Sequence, residues 1–280
     1  MKKIADLIKE LRLKTRAGFL DCKKALIESK YNIEHAIIWL KEKNKISALN
    51  KRKETRELNE GIVDVNVLNN KAVIFKLACE TDFVAQNKDF VNFTQTLLNS
   101  VLNSSITNKD LENNLQAILD LKSSNNETIQ EKIDALISQY KEKIVLEKVS
   151  IFNKQDQESF GYYSHNDLKT AALIKFEKNI DPQLGKQFAM HVVAMKPTYL
   201  NKDQVEKKDL DIERKILAKK LKSLNKPEFI KEKIIQGKLE KYYSNVCLLN
   251  QSFIFELKKS VLDVLKETNN NIINFKLYQI

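Results

Sequence analysis

Glycine is scarce, with five residues in a chain of 280, and the five are not grouped. That excludes the glycine-rich loops of P-loop and dinucleotide-binding proteins, which need glycines at fixed spacing so that backbone amides can approach a phosphate. Nucleotide binding by those devices is not expected. Histidine is equally sparse: His35, His165 and His191 lie far apart, none has a partner four residues away, and a satisfied structural histidine is the ordinary reading of each. The three cysteines, Cys22, Cys79 and Cys247, are odd in number, widely spaced and set in apolar surroundings. They fit reduced core thiols in a reducing compartment, not a disulfide framework or a metal cage. No apolar run approaches the ~20 residues that a membrane helix requires. After Met1-Lys2-Lys3 the apolar residues are spaced, so neither a signal nor a transit peptide is expected, and the reading is a soluble cytoplasmic protein without membrane contact. Carboxylates abound, yet no two are marked by spacing as an acid/base pair. Catalytic residues, metal ligands and cofactors are therefore expected to be absent, and the chain is not expected to be an enzyme.

What is present is enough to build a core, with 42% apolar and 30% charged residues. One compact unit with an appendage, or two domains, is expected at this length. The net charge of +11 invites a nucleic-acid reading. Its lysines, however, are scattered among glutamates, as in Lys41-Glu42-Lys43 and Lys231-Glu232-Lys233, and rarely adjoin aromatics or arginines that stack on bases. Solvated helix faces explain them better, and a basic surface equally suits an acidic protein partner. An RNA-binding translation-associated protein stays as the alternative function and a purely structural scaffold as a second, while direct nucleic-acid binding is not expected.

Along the chain the pattern is α+β. Ile4, Leu7, Ile8 and Leu11 take the spacing of one helix face, and Ile33, Ala36, Ile37 and Leu40 repeat it after a capping Asn32. A short helix from Phe19 between them buries Cys22, Ala25 and Leu26, with Gly18 at the corner after Thr15-Arg16-Ala17. Residues 1–50 thus read as a three-helix bundle of the ubiquitin-associated type, and 51–60 as a charged linker or frayed helix. After Gly61 the period becomes 2, and two strands flank Asn69-Asn70 as an antiparallel hairpin, with a helix from about Asp82. A second copy follows: strands Phe160 to Ser164 and Thr170 to Phe176, then a helix from Pro182 to Met195. The core is read as two similar halves, 61–158 and 159–280, with antiparallel sheets. Between about 202 and 245 the sequence is helical and charged around Asn225-Lys226-Pro227, which reads as a projecting helical hairpin and a candidate dimerisation element. A strand around Val246 to Phe255, a helix near Val261 to Glu267 and a strand through Ile273 to Leu277 complete the expectation.

The segment Glu80-Thr81-Asp82-Phe83-Val84 is the part that plain packing explains least. Thr81 suits a helix cap and Asp82 a first turn. Phe83 at such a helix head projects past the sheet edge, where a partner can reach it. Four ordered motifs carry a resemblance. Cys79-Glu80-Thr81-Asp82-Phe83-Val84-Ala85 and Asp21-Cys22-Lys23-Lys24-Ala25-Leu26 resemble signatures of the elongation factor Ts family. Phe188-Ala189-Met190-His191-Val192-Val193-Ala194-Met195-Lys196-Pro197 and the stretch from Lys226-Pro227 to Gln251 are similar to later elements of the same family.

The resemblance implies a guanine-nucleotide exchange factor for elongation factor Tu, binding its GDP-bound and nucleotide-free forms and promoting GDP release and GTP loading. It implies that Thr81, Asp82, Phe83 and Val84 contact the GTPase, with Phe83 as a wedge and the partner's magnesium dislodged. It implies secondary contacts through Phe19 and Leu20 of the bundle and, more weakly, Leu11 and His165. The pattern departs from the family at Arg16, where glycine is usual, and at Asn166-Asp167-Leu168, where relatives are glycine-rich. The chain is also expected to lack a further C-terminal helix after Ile280.

Overall fold

The computed structural model describes residues 4–15, 17–111, 115–123, 126–221 and 227–280. It is a mixed α+β protein whose first part is three helices: α1 (Ile4–Thr15), α2 (Phe19–Glu28) and α3 (Ile33–Lys53). Their apolar faces close on one another through Ile8, Leu11, Cys22, Ala25, Leu26, Ala36 and Leu40. Asn32 starts α3 by accepting the His35 amide at 3.0 Å, the cap expected from its side chain. The corner into α2 does not use glycine's conformational freedom, since Gly18 has φ −60° and ψ 154°; Arg16 lies outside the described residues. Lys43 of α3 pairs with Asp21 at the head of α2. Helix α3 also runs further than its apolar repeat predicts, taking in residues 51–53, because Ala48 is buried in the main core and Arg52 pairs with Asp134.

Strands β1 (Glu60–Leu68) and β2 (Lys71–Cys79) form the expected hairpin, paired from Glu60↔Cys79 to Leu68↔Lys71. Asn69 makes the turn at φ 54°, a conformation asparagine tolerates better than most residues. The single helix expected from Asp82 is instead two. A four-residue turn, α4 (Asp82–Ala85), ends at Gln86, and α5 (Lys88–Leu102) restarts where Asn87 accepts the Asp89 amide at 2.9 Å. Next come α6 (Gln116–Leu119), α7 (Ile129–Tyr140) with a Thr128/Glu131 capping box, and β3 (Ile144–Asn153), which completes an antiparallel sheet of order β1-β2-β3. Phe75, Phe90, Leu97, Leu98 and Ile137 are central to the core beneath it.

The second half repeats the order. Strands β4 (Ser159–Ser164) and β5 (Thr170–Phe176) form a hairpin, α8 (Pro182–Met195) follows, and α9 (Lys207–Leu221) and α10 (Glu228–Val246) make the charged helical pair. Residues 225 and 226 of the expected interruption lie outside the described residues, and Pro227 directly precedes α10. The strand expected over 246–255 shrinks to β6 (Ser252–Phe253), paired with β7 (Glu256–Ser260), because Gln251 turns inward to meet His191. Helix α11 (Val261–Glu267) and β8 (Ile272–Gln279) finish a sheet of order β4-β5-β8. Helix α8 lies unusually close to β4, since a Cβ added at Gly161 would meet the Gly185 carbonyl oxygen at 2.3 Å.

The chain forms two compact units, Met1–Asn153 with Asn166–Thr170 and Tyr278–Ile280, and Lys154–His165 with Ala171–Leu277. Each has its own apolar core. All three cysteines are buried and free. Among the described residues no helix is long and apolar enough to cross a membrane.

Candidate functional site

The Thr81–Val84 corner begins where β2 leaves the sheet. Cys79 is the last residue of β2 to pair with β3, opposite Ile144. Beyond that pair the two chains are held by side chains. Glu142 accepts both the Thr81 amide, at 3.1 Å, and the Thr81 hydroxyl, at 2.7 Å. Glu80 in turn accepts the Lys143 amide at 2.7 Å. Each carboxylate thus takes the backbone amide of the facing segment, so the ladder is continued for another step without a β conformation. The hydroxyl of Thr81 does not cap α4, contrary to the expectation from its position, because Glu142 has engaged it.

The turn that follows sorts its side chains sharply. Val84 is 4% exposed and packs in the core with Ala85, whereas Phe83 is 83% exposed, the most exposed of the large apolar side chains among the described residues. Asp82 also faces solvent. Of the four residues expected to meet a partner, Asp82 and Phe83 are therefore presented, while Thr81 and Val84 hold the turn from behind. An aromatic ring left in water is unfavourable in an isolated chain and is the type of residue that dominates binding energy at interfaces.

The electrostatics of the corner stabilise that arrangement. Burial pushes the Glu80 carboxyl up, but the Lys143 amide and the Arg56 guanidinium, 2.7 Å from it, outweigh burial and hold it below its ordinary value. Arg56 is steadied by Glu54 at 3.2 Å, and the Lys143 ammonium donates to the Glu54 carbonyl at 2.8 Å. Beneath the corner, burial together with Glu142 and Glu60 pushes the Cys79 thiol up to about 12. Cys79 stays protonated and donates to the Thr81 carbonyl at 3.3 Å, which makes it a packing residue and not a nucleophile.

On the bundle, Phe19 is 53% and Leu20 71% exposed, so neither fills the core. Leu11 is fully enclosed by the bundle and does not reach the surface. Leu13 of α1 is a further exposed leucine, at 76%. In the second unit, His165 is exposed, with Tyr163 edge-on at a centroid distance of 6.3 Å. In the loop after it, Leu168 adopts φ 54°, a conformation glycine enters freely and a leucine does not. It is held there because its carbonyl accepts the Val63 amide at 2.7 Å and its side chain packs on the first core.

His191 is buried and satisfied. Its Nδ1 accepts from the Ile254 amide at 3.3 Å, which leaves Nε2 to donate to Gln251 Oε1 at 3.0 Å. Among the described residues no group of three or more histidines, cysteines and carboxylates is placed to hold a metal ion. Arg56 and Glu142, the residues that brace the corner, carry no sequence signal of their own. They are a charged residue in a charged run and a glutamate in an ordinary loop.

A family model described as Elongation factor TS matches residues 80–280, beginning at the glutamate that opens this corner and running through the second sheet to the end of the chain. The match spans far more than half of the 280 residues, and the chain belongs to the elongation factor Ts family.

Proposed function

We propose that the chain accelerates release of GDP from elongation factor Tu, with Phe83 as the side chain that enters the GTPase. Family membership supplies the process, translation elongation, and the partner. The observation that carries the residue assignment is the 83% exposure of Phe83 on a turn whose next two side chains are locked in the core. Asp82 stands beside it as the polar contact, and Thr81 and Val84 act by holding the turn. Displacement of the partner's magnesium follows from the wedge in this reading; the metal belongs to the partner. Phe19 and Leu20 form the second contact, and His165 a third.

The thermodynamics require no chemistry from this chain. A factor that binds nucleotide-free GTPase more tightly than the GDP form weakens GDP binding by the same ratio, and GTP uptake in turn expels the factor. The test is release of fluorescently labelled GDP from elongation factor Tu. The intact chain is expected to accelerate it. Phe83→Ala is expected to lose at least about thirtyfold of that acceleration, corresponding to about 2 kcal/mol, the size of an interface hot spot. Because the side chain is already in solvent, unfolding free energy should change by less than about 0.5 kcal/mol. Equal acceleration by both proteins would remove Phe83 from the mechanism, and none by the intact chain would remove the exchange reading.

A further inference from the structure

Glu142 lies 61 residues beyond Thr81 in the chain, yet both its carboxylate oxygens are spent on that one residue. Oε2 takes the backbone amide and Oε1 the hydroxyl. Two bonds from one rigid, planar group fix both position and rotation of Thr81, which a single bond would not. The residue is held on its other side as well, since its carbonyl receives the Cys79 thiol. Two residues later the chain turns Phe83 outward, and the Ala85 amide returns to the Thr81 carbonyl at 3.3 Å. Thr81 is thus the hinge point of the turn. Its orientation is set from a distant segment, the loop between α7 and β3, which leaves α7 through Lys141 at φ 60°.

We propose that Glu142 is a positioning residue for nucleotide exchange, clamping Thr81 so that the turn presents Phe83 in one orientation before the partner arrives. The role rests on the exchange reading above. A four-residue turn has too few internal hydrogen bonds to be rigid alone. Ordering it on binding would subtract from the interaction that Phe83 makes, whereas ordering it in advance leaves that interaction whole. Glu142 does this without touching the partner. Its neighbour clasp, Glu80 on the Lys143 amide with Arg56 behind it, keeps the two segments from separating and so supports the same geometry.

The experiment compares full-length chains in the labelled-GDP release assay across a range of their concentrations, with folding checked by circular dichroism. For Glu142→Ala, acceleration at low concentration should fall about tenfold, the size expected when charge-assisted hydrogen bonds are lost. Glu142→Gln should stay within about threefold of the intact chain, because its carbonyl can accept from the Thr81 amide and its NH2 can donate to the Thr81 hydroxyl. Thr81→Val, which removes only the hydroxyl half of the clamp, should fall between the two. Two readouts separate positioning from general damage. Hydrogen exchange of the free chain should quicken at the Thr81 to Gln86 amides in Glu142→Ala and not in the helices of the core. Glu142→Ala should also lose nothing further when Phe83 is already alanine, since the two then act through one group. Full acceleration by Glu142→Ala, or an equal loss in the Phe83→Ala background, would overturn the proposal and leave the exchange reading standing. Absence of acceleration by the intact chain would overturn both, and that outcome is visible in the control alone.

Discussion

Gly61, the second residue of β1, has φ 144°, a backbone conformation open essentially to glycine alone. The site is also tight: a Cβ built there would lie 2.2 Å from the Leu77 carbonyl oxygen, beside the bulge in β2 between Lys76 and Leu77. Gly61→Ala must therefore move backbone in the central strand and is expected to destabilise the chain by about 2–4 kcal/mol, measured by urea or thermal unfolding. An unchanged midpoint would mean that the β1/β2 pair is softer than its register implies. The residue scale is also where the sequence speaks unevenly. Phe83 was legible because an aromatic at a helix head has no local packing reason to be there. Glu142 was not, because its role depends on a hydrogen bond across 61 residues, and nothing near it in sequence differs from a solvated loop glutamate. Leu11 shows the reverse, a position singled out by resemblance whose apolar periodicity already marked it as core.

At the scale of elements, the hairpins and the capped helices follow from local chemistry, and the misplaced boundaries share one cause. Asn32 and Asn69-Asn70 each act through neighbours a few residues away, so spacing and side-chain type suffice to place α3 and the β1/β2 turn. By contrast, the break between α4 and α5 depends on Asn87, which also receives the Tyr140 hydroxyl at 2.7 Å from α7, and the short β6 depends on a histidine 60 residues before its Gln251. Helix α5 ends on another such long-range contact. The ammonium of Lys71, at the start of β2, is buried and donates to the carbonyls of Val101 and Ser104 at 2.7 and 2.8 Å and to the Ser104 hydroxyl at 3.3 Å. A cation there adds a donor to carbonyls at the end of the helix and just beyond it and meets the negative end of the helix dipole. Lys71→Met keeps the apolar stem but removes those donors, and is expected to lower stability by about 2 kcal/mol and to speed hydrogen exchange in the last turn of α5. Retention of full stability would show that water replaces the ammonium without loss.

For the molecule as a whole, the recurring unit is a hairpin followed by helices and a third strand laid beside the hairpin's second strand, seen in β1-β2-β3 and again in β4-β5-β8. The sequence displayed the two hairpins but not the closing strand of the first, since β3 is reached only after a long helical excursion with its own local pattern. In the second unit the space between sheet and helix is filled by Phe176, Phe188 and Phe253, with the His191 ring tilted against Phe253 at a centroid distance of 5.6 Å. That packing gives this unit a pH dependence. Burial lowers the pKa of His191 below its ordinary value, and its hydrogen bond to Gln251 only partly opposes the shift. Protonation would also place a donor on Nδ1, opposite the Ile254 amide that now donates to it. The sign follows from linkage: the unfolded chain binds this proton more readily than the folded one, so the contribution of neutral His191 is complete above the unfolded pKa of about 6.5 and is lost as pH falls toward the folded value. One such proton changes stability by at most about 1.4 kcal/mol per pH unit. Unfolding free energies measured between pH 5 and 8 should therefore show an advantage of the intact chain over His191→Gln that grows as pH rises to about 7 and then levels off. An NMR titration should place the imidazole of His191 below the ordinary histidine range. A pH-independent difference between the two chains would mean that the unit admits the proton without opening, and that burial of this ring does not couple its charge to the fold.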